Sequence, residues 1–247
     1  FVLQFPRAFA TAHQALRSSA SEVVLGLGGY GSVPVVISAW LRGTPAVLME
    51  QNVHPGLANR VLARLARAVC TTFEDSNAFF PPGRAVLTGN PVRELHCDAH
   101  PDPAHFTVLV FGGSQGARSL NQAMIAAVPR LRRELGARLR ILHQAGSPAA
   151  TEVARAYAEA GVEAEVLPFI DDMAGAYARA DLIVCRAGAT TLAELAAVGR
   201  PAILVPYPFA ADDHQRFNAQ SLAARGAAEM ILDRELDGER LAARILH

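Results

Sequence analysis

The sequence predicts an α/β protein built as two parallel-sheet lobes, and three observations carry that expectation. Short β-branched runs alternate with amphipathic segments along the chain, the pattern of repeated βα units. Of 247 residues 51% are hydrophobic and 19% charged, ample apolar surface for packed cores. A polar, proline-bearing, aperiodic stretch, HCDAHPDPAH at 96–105, interrupts the alternation and reads as an interdomain linker. The expected lobes are therefore 1–95 and 106–247.

In the first lobe, helix is expected over Phe9–Ser18, Val35–Arg42 and Leu57–Leu65, where apolar side chains recur at helical spacing. Strands are expected over Glu22–Gly26, Pro45–Met49, Ala68–Thr72 and Ala85–Thr88, short apolar runs that end in glycine or polar residues. In the second lobe the strands fall at Thr107–Phe111, Leu139–His143, Glu163–Leu167, Asp181–Cys185, Pro201–Val205 and Ala227–Ile231. The helices between and after them are Arg118–Leu135, Pro148–Ala160, Met173–Ala178, Thr191–Val198, His214–Arg225 and Glu235–Leu246. Six strands make the second lobe look complete. The first has four and opens on a helix with no strand before it, so its first βα units, where a glycine-rich phosphate loop would stand, are expected to lie outside this chain.

Formal net charge is zero, which argues against nucleic-acid binding driven by phosphate attraction. The three cysteines, Cys70, Cys97 and Cys185, are far apart; Cys70 and Cys185 sit in apolar runs and read as buried free thiols, suited to a reducing cytoplasm. No run of eighteen apolar residues exists, and FVLQFPRAFATAH at the start does not have the form of a signal peptide.

Chemistry concentrates at strand ends. DLIVCRAGATTLAE, from Asp181 to Glu194, is an apolar strand, a small polar turn and the opening of a helix. Glycine and alanine there let a ligand approach the backbone, and the free N–H groups of a helix start attract phosphate. A carboxylate one turn in, Glu194, suits a ribose diol. Strand, turn and acid together indicate a nucleotide site, with a nucleotide-sugar the best fit. Phe111–Ala117, FGGSQGA, is a second cradle, with Ser114 as a hydroxyl at a helix N-terminus, although a plain βα turn explains the glycines as well. It is a poor dinucleotide fingerprint, because the spacing departs from G-x-G-x-x-G and no acid ends the next strand. In FIDDM, Asp171 and Asp172 read as helix-capping acids. In VPYPFAADDHQ, Asp212 is an N-cap candidate, while Gln215 has the donor and acceptor that sugar hydroxyls need. Asp212, Asp213 and His214 stand on one turn, without the spacing of helical metal ligands.

In the first lobe, GLGGYGS at 26–32 carries more glycine than a turn requires and reads as a ligand-facing loop. Glu50, Gln51 and Asn52 end a strand as three consecutive polar side chains, either loop capping or ligand contacts. In GNPVR, Asn90 before proline is held extended and leads to Arg93, a candidate contact for a base or phosphate.

Taken in order, GLGGYGS, EQN, GNPVR, GGSQGA, FIDDM, CRAGATTLAE and ADDHQ…NA resemble one family across essentially the whole chain. It is the UDP-N-acetylglucosamine:undecaprenyl-pyrophosphoryl-N-acetylmuramoyl-pentapeptide N-acetylglucosaminyltransferases of bacterial peptidoglycan synthesis. The resemblance implies two Rossmann-like lobes of the B-type glycosyltransferase fold, the first incomplete here, and inverting transfer of N-acetylglucosamine to the C4 hydroxyl of a lipid-linked muramoyl-pentapeptide. It implies that Ser114 meets the diphosphate, that Ile170 holds uracil through its backbone with Arg93 nearby, and that Glu194 takes the ribose hydroxyls. Ala189, Thr190, Thr191 and Leu192 would line the diphosphate and ribose. Gln215, with His214 beside it, would bind the sugar hydroxyls, and Asn52 would face the sugar from the other lobe. No cofactor and no protein-bound metal are implied.

The same resemblance puts the general base and the family's first glycine-rich loop before residue 1, so this chain alone is expected to bind donor without turning over. It also implies peripheral residence on the cytoplasmic face of the membrane. Phe1, Val2, Leu3, Phe5, Phe9 and Trp40, with Arg7 and Arg17, then read as a membrane-facing patch, or else as core aromatics. Two alternatives stay open: another B-type transferase with a different UDP-sugar, and a non-catalytic donor-binding subunit that needs a membrane partner.

Overall fold

The computed structural model describes residues 4–95 and 100–247. Phe1–Leu3 of the expected membrane patch, and His96–Ala99 of the expected linker with Cys97, lie outside the described residues. The chain divides into two compact units, Phe1–Pro91 and Val92–His247.

The first unit runs α1 (Phe5–Ser18), β1 (Val24–Gly26), α2 (Ser32–Leu41), β2 (Ala46–Glu50), α3 (Leu57–Leu62), β3 (Ala68–Thr71), a 3-10 turn (Glu74–Phe79) and β4 (Ala85–Leu87). Its four strands pair in parallel in the order β1-β2-β3-β4. Because side chains alternate across a strand, Val24 of β1 is buried while Leu25 is 59% exposed. Val24, Leu48 and Val69 form a core with Leu16, Val36, Ala39 and Leu62 from the helices. α1 begins four residues earlier than the sequence suggests, since Pro6 fits the first helical turn, where its missing N–H costs nothing. The 3-10 turn has no apolar period and was not foreseen.

The second unit runs β5 (Phe106–Phe111), α4 (Arg118–Leu135), β6 (Leu139–Gln144), α5 (Ala150–Glu159), β7 (Glu163–Leu167), α6 (Met173–Arg179), β8 (Leu182–Cys185), α7 (Ala189–Val198), β9 (Ala202–Leu204), α8 (His214–Ala224), β10 (Glu229–Met230) and α9 (Gly238–Ile245). The sheet is parallel throughout, in the order β10-β9-β8-β5-β6-β7. Val108, Leu109 and Val110 of central β5 are all fully buried, because helices cover both faces of such a sheet. The chain winds outward from β5 to β7, then returns to the other side of β5 at β8. That reversal leaves a crevice outside the carboxyl ends of β5 and β8, the place where open α/β sheets bind ligands.

Two helix starts and one N-cap depart from the sequence reading for local reasons. α7 starts at Ala189 because extended Gly188 serves as its N-cap. α9 starts at Gly238 because the Asp237 side chain accepts from Arg240 N, and residues 233–235 form a separate 3-10 turn. α8 has Asp213, not Asp212, as N-cap; both have left-handed φ, 52° and 53°, and neither side chain caps the helix. Cys185 is buried, as expected, whereas Cys70 is only half-buried.

Candidate functional site

Three turns of the second unit meet at the β5/β8 crevice. The first follows β5. A Cβ on Gly112 would stand 2.2 Å from Ala117 Cβ, and one on Gly116 would stand 2.2 Å from the Ala145 carbonyl, so the loop closes on itself and onto the end of β6 only with glycine. Gln144 secures it. Its Nε2 donates to Gly113 O at 2.7 Å and its Oε1 accepts from Ile170 N at 2.8 Å. Beneath, Asn121 Nδ2 donates to Ala145 O at 2.9 Å, which leaves Asn121 Oδ1 to accept from His143 Nε2 at 3.0 Å. His143 Nδ1 then accepts the Tyr157 hydroxyl at 2.7 Å. The chain is satisfied only with a neutral imidazole, and burial holds the His143 pKa down at about 4.

The second turn follows β8. Gly188 offers no side-chain cap, and the first helical bond runs from Leu192 N to Gly188 O. The amides of Ala189, Thr190 and Thr191 therefore precede the helical hydrogen-bond ladder at the positive end of α7. The third turn, between β9 and α8, brings Tyr207 and Phe209. Gln215 Oε1 accepts from Ala187 N at 3.1 Å and from Tyr207 N at 3.0 Å, stapling the second and third turns. Together the turns line a cleft of about 620 Å³, within the usual range for small-molecule sites.

Arg186 organises the floor of that cleft. Its guanidinium donates to Ser119 Oγ at 2.9 Å, to the carbonyls of Val205 and Pro206 at 3.2 Å each, and to Asp233. Ser119 Oγ donates to Asp233 Oδ1 at 2.7 Å, and the guanidinium carbon lies 5.5 Å from the Tyr207 ring centroid. Four segments of the cleft thus share one cation.

Glu194 lies one turn into α7 and is 4% exposed. Oε1 accepts from Arg93 Nε at 3.0 Å, and Oε2 accepts from the Tyr177 hydroxyl at 2.9 Å. Burial, then the adjacent carboxylate, push the Tyr177 hydroxyl pKa far up. Two of the carboxylate's roughly four acceptor directions remain open.

The other expected site residues fall as follows. Ser114 is exposed in the Gly113–Gly116 turn, ahead of α4. The hydroxyl in the first turn of that helix belongs instead to Ser119, since Ser114 stands four residues ahead of Arg118, where α4 begins. Ile170 is buried, and its N–H is taken by Gln144. Leu192 is a core side chain with its N–H in the helix, so it backs the site rather than lining it. His214 turns back on its own helix start, Nδ1 donating to Ala211 O at 2.7 Å. Asp172 does cap α6, accepting from Gly175 N at 2.9 Å. Arg93 belongs to the second unit through Glu194. Asn52 belongs to the first, at the end of β2, where its N and Nδ2 both donate to Glu50 Oε1 at 2.9 and 3.3 Å. Glu50 is buried, and its other oxygen accepts from Asn59 Nδ2 at 2.9 Å.

Sequence reasoning missed Arg186, Ser119, Asp233, Gln144 and Tyr177. An arginine directly after a strand, inside a small-residue turn, was a usable signal for Arg186. The partners were not readable, since Ser119 and Asp233 stand 114 positions apart. Among the described residues no group of three or more His, Cys, Asp or Glu side chains could hold a metal ion, and no helix is long and apolar enough to cross a membrane.

The glycosyltransferase family 28 C-terminal domain matches residues 107–247, and the family 28 N-terminal domain matches residues 1–71. The chain is 48% identical over 241 residues to the UDP-N-acetylglucosamine-N-acetylmuramyl-(pentapeptide) pyrophosphoryl-undecaprenol N-acetylglucosamine transferase of Myxococcus xanthus, covering 96% of this chain and 63% of that protein. It is 48% identical over 250 residues to the protein of the same name from Pelobacter propionicus, covering 91% of this chain and 66% of the other. The crystal structure of Acinetobacter baumannii MurG superposes with a TM-score of 0.83 at 36% identity, covering 100% of this chain and 71% of that one. The chain thus spans about two thirds of the length of the curated relatives it matches. With the parallel sheets, the switch-point cleft and these matches together, the chain belongs to glycosyltransferase family 28 and has its two-lobed B-type fold.

Proposed function

We propose that the chain forms most of an N-acetylglucosaminyltransferase that moves N-acetylglucosamine from UDP-N-acetylglucosamine to the C4 hydroxyl of undecaprenyl-pyrophosphate-linked N-acetylmuramoyl-pentapeptide. The acceptor oxygen attacks the anomeric carbon, the bond from that carbon to the diphosphate breaks, and its electron pair leaves with UDP. The hydroxyl proton passes to a general base or to solvent, and the configuration inverts to a β-1,4 linkage. One observation carries this reading: the glycine turn after β5 and the N-terminus of α7 line one cleft at the switch point, with the buried Glu194 carboxylate one turn into α7, in a chain 48% identical to transferases of that name. The amides of Ala189–Thr191 would receive the diphosphate, Glu194 the ribose, the Ile170 carbonyl the base, and the free amide nitrogen of Gln215 the sugar. Helix N-termini stabilise the charge that gathers on the leaving diphosphate. The place of work is the cytoplasmic membrane surface, where a polyprenyl acceptor is reached by a peripheral protein.

Two measurements test the reading. The whole protein should transfer labelled sugar from UDP-N-acetylglucosamine to a lipid-linked muramoyl acceptor; turnover only with a different UDP-sugar would overturn the donor assignment. Glu194→Ala should weaken UDP binding by about 1–3 kcal/mol, the scale of hydrogen bonds to a charged group. Unchanged calorimetric affinity would remove the ribose role.

A further inference from the structure

Glu194 is gripped from two sides by donors of different character. Arg93 offers Nε to Oε1 from a side chain that is 56% exposed, so water can replace it. Tyr177 offers its hydroxyl to Oε2 from full burial. Its ring packs edge-on against Phe111, with centroids 6.0 Å apart and planes at 71°. Phe111 is the last residue of β5, directly before the glycine turn, so the ring is fixed to the same strand end that builds the cleft.

We infer that Tyr177 is a positioning residue for nucleotide binding: its buried hydroxyl pins Glu194 Oε2, so that the open acceptor directions of the carboxylate face the two ribose hydroxyls. The inference rests on the reading of Glu194 as the ribose contact. A carboxylate held only by a solvent-accessible arginine could rotate about its terminal bond, and a diol needs both oxygens in a defined plane. Burial and the carboxylate itself keep the phenol protonated, so Tyr177 stays a donor at every working pH. A hydrogen bond to a charged group inside a low-dielectric wall also has a stronger orienting effect than one in water.

The alternative is that Tyr177 only fills space beneath α6, and ribose chemistry separates the two roles. Titrations of UDP and of 2′,3′-dideoxy-UDP into the protein and into Tyr177→Phe should give a selective loss. UDP affinity should fall about tenfold, while affinity for the dideoxy analogue stays within about twofold. Equal loss for both nucleotides, or loss for neither, overturns the inference. If Tyr177→Phe does not fold, the double variant with Glu194→Gln, which holds no buried unpaired charge, keeps the question open to test. It should bind UDP as Glu194→Gln alone does, and any additional loss means that Tyr177 does not act through Glu194. Failure of the underlying reading looks different: the unsubstituted protein would bind UDP and the dideoxy analogue equally.

Discussion

Arg186 concentrates more contacts of the cleft than any other side chain named in it, and its geometry sets the outcome of a conservative change. A planar guanidinium reaches Ser119, Asp233 and two carbonyls at once, which a lysine ammonium on a flexible stem does not. Arg186→Lys should therefore loosen the β9–α8 turn and cost about 1–3 kcal/mol, below the figure for a fully buried pair because its side chain is 12% and that of Asp233 20% exposed. A urea midpoint unchanged from the parent protein would show that the network is incidental. At this scale the sequence was legible where chemistry is local. Glu194 stands one turn beyond a glycine-capped helix start, and Asp172 at the head of an acid-led helix. Contacts that depend on the closed sheet were not legible. Arg93 and Glu194 stand 101 positions apart, and the polar composition of 96–105 gave no hint that Arg93 sides with the second unit.

Elements were easier to read than their partners. α4 and β7 have the boundaries the pattern gave, because each is a long periodic run or a clean strand between turns. Termini shifted where a cap decided them, as at Asp237 and Gly188. The element most dependent on unseen chemistry is the end of β6, where His143, Asn121 and Tyr157 support the glycine turn from below. Its pH response follows from the sign of the shift. The folded imidazole has a pKa of about 4 against 6.5 for the ordinary group, so between these values the unfolded chain takes up a proton that the folded one refuses. Stability from this group is present above pH 6.5 and is lost as pH falls toward 4, on the order of 3 kcal/mol over that span. Denaturant unfolding across that window should show the loss, and His143→Gln should flatten the slope. A His143 ring proton that titrates near pH 6.5 by NMR would contradict the buried neutral assignment.

Across the molecule, a net charge of zero gives no overall attraction to anionic lipid, so any membrane contact must come from a local patch. Phe5 and Phe9, near the start of the described residues, are less suited to that than the sequence suggested. Both are half-buried and stacked on each other at 6.2 Å between centroids. The end of α2 is better placed, since Trp40 is 52% and Leu41 59% exposed, and exposed Arg42 follows them directly. Neither Trp40 nor Leu41 is in the buried core of its unit, so both can change without opening it. An exposed tryptophan beside a leucine and an arginine has the form of an interfacial anchor, with apolar rings at the acyl boundary and cationic charge at the headgroups. Trp40→Ser with Leu41→Ser, in the whole protein, should lower co-sedimentation with anionic vesicles several-fold and leave UDP affinity unchanged. Binding by the unsubstituted protein should weaken as salt rises, through the Debye screening of Arg42. Vesicle binding that survives the double substitution at full strength would remove α2 from the membrane-facing surface.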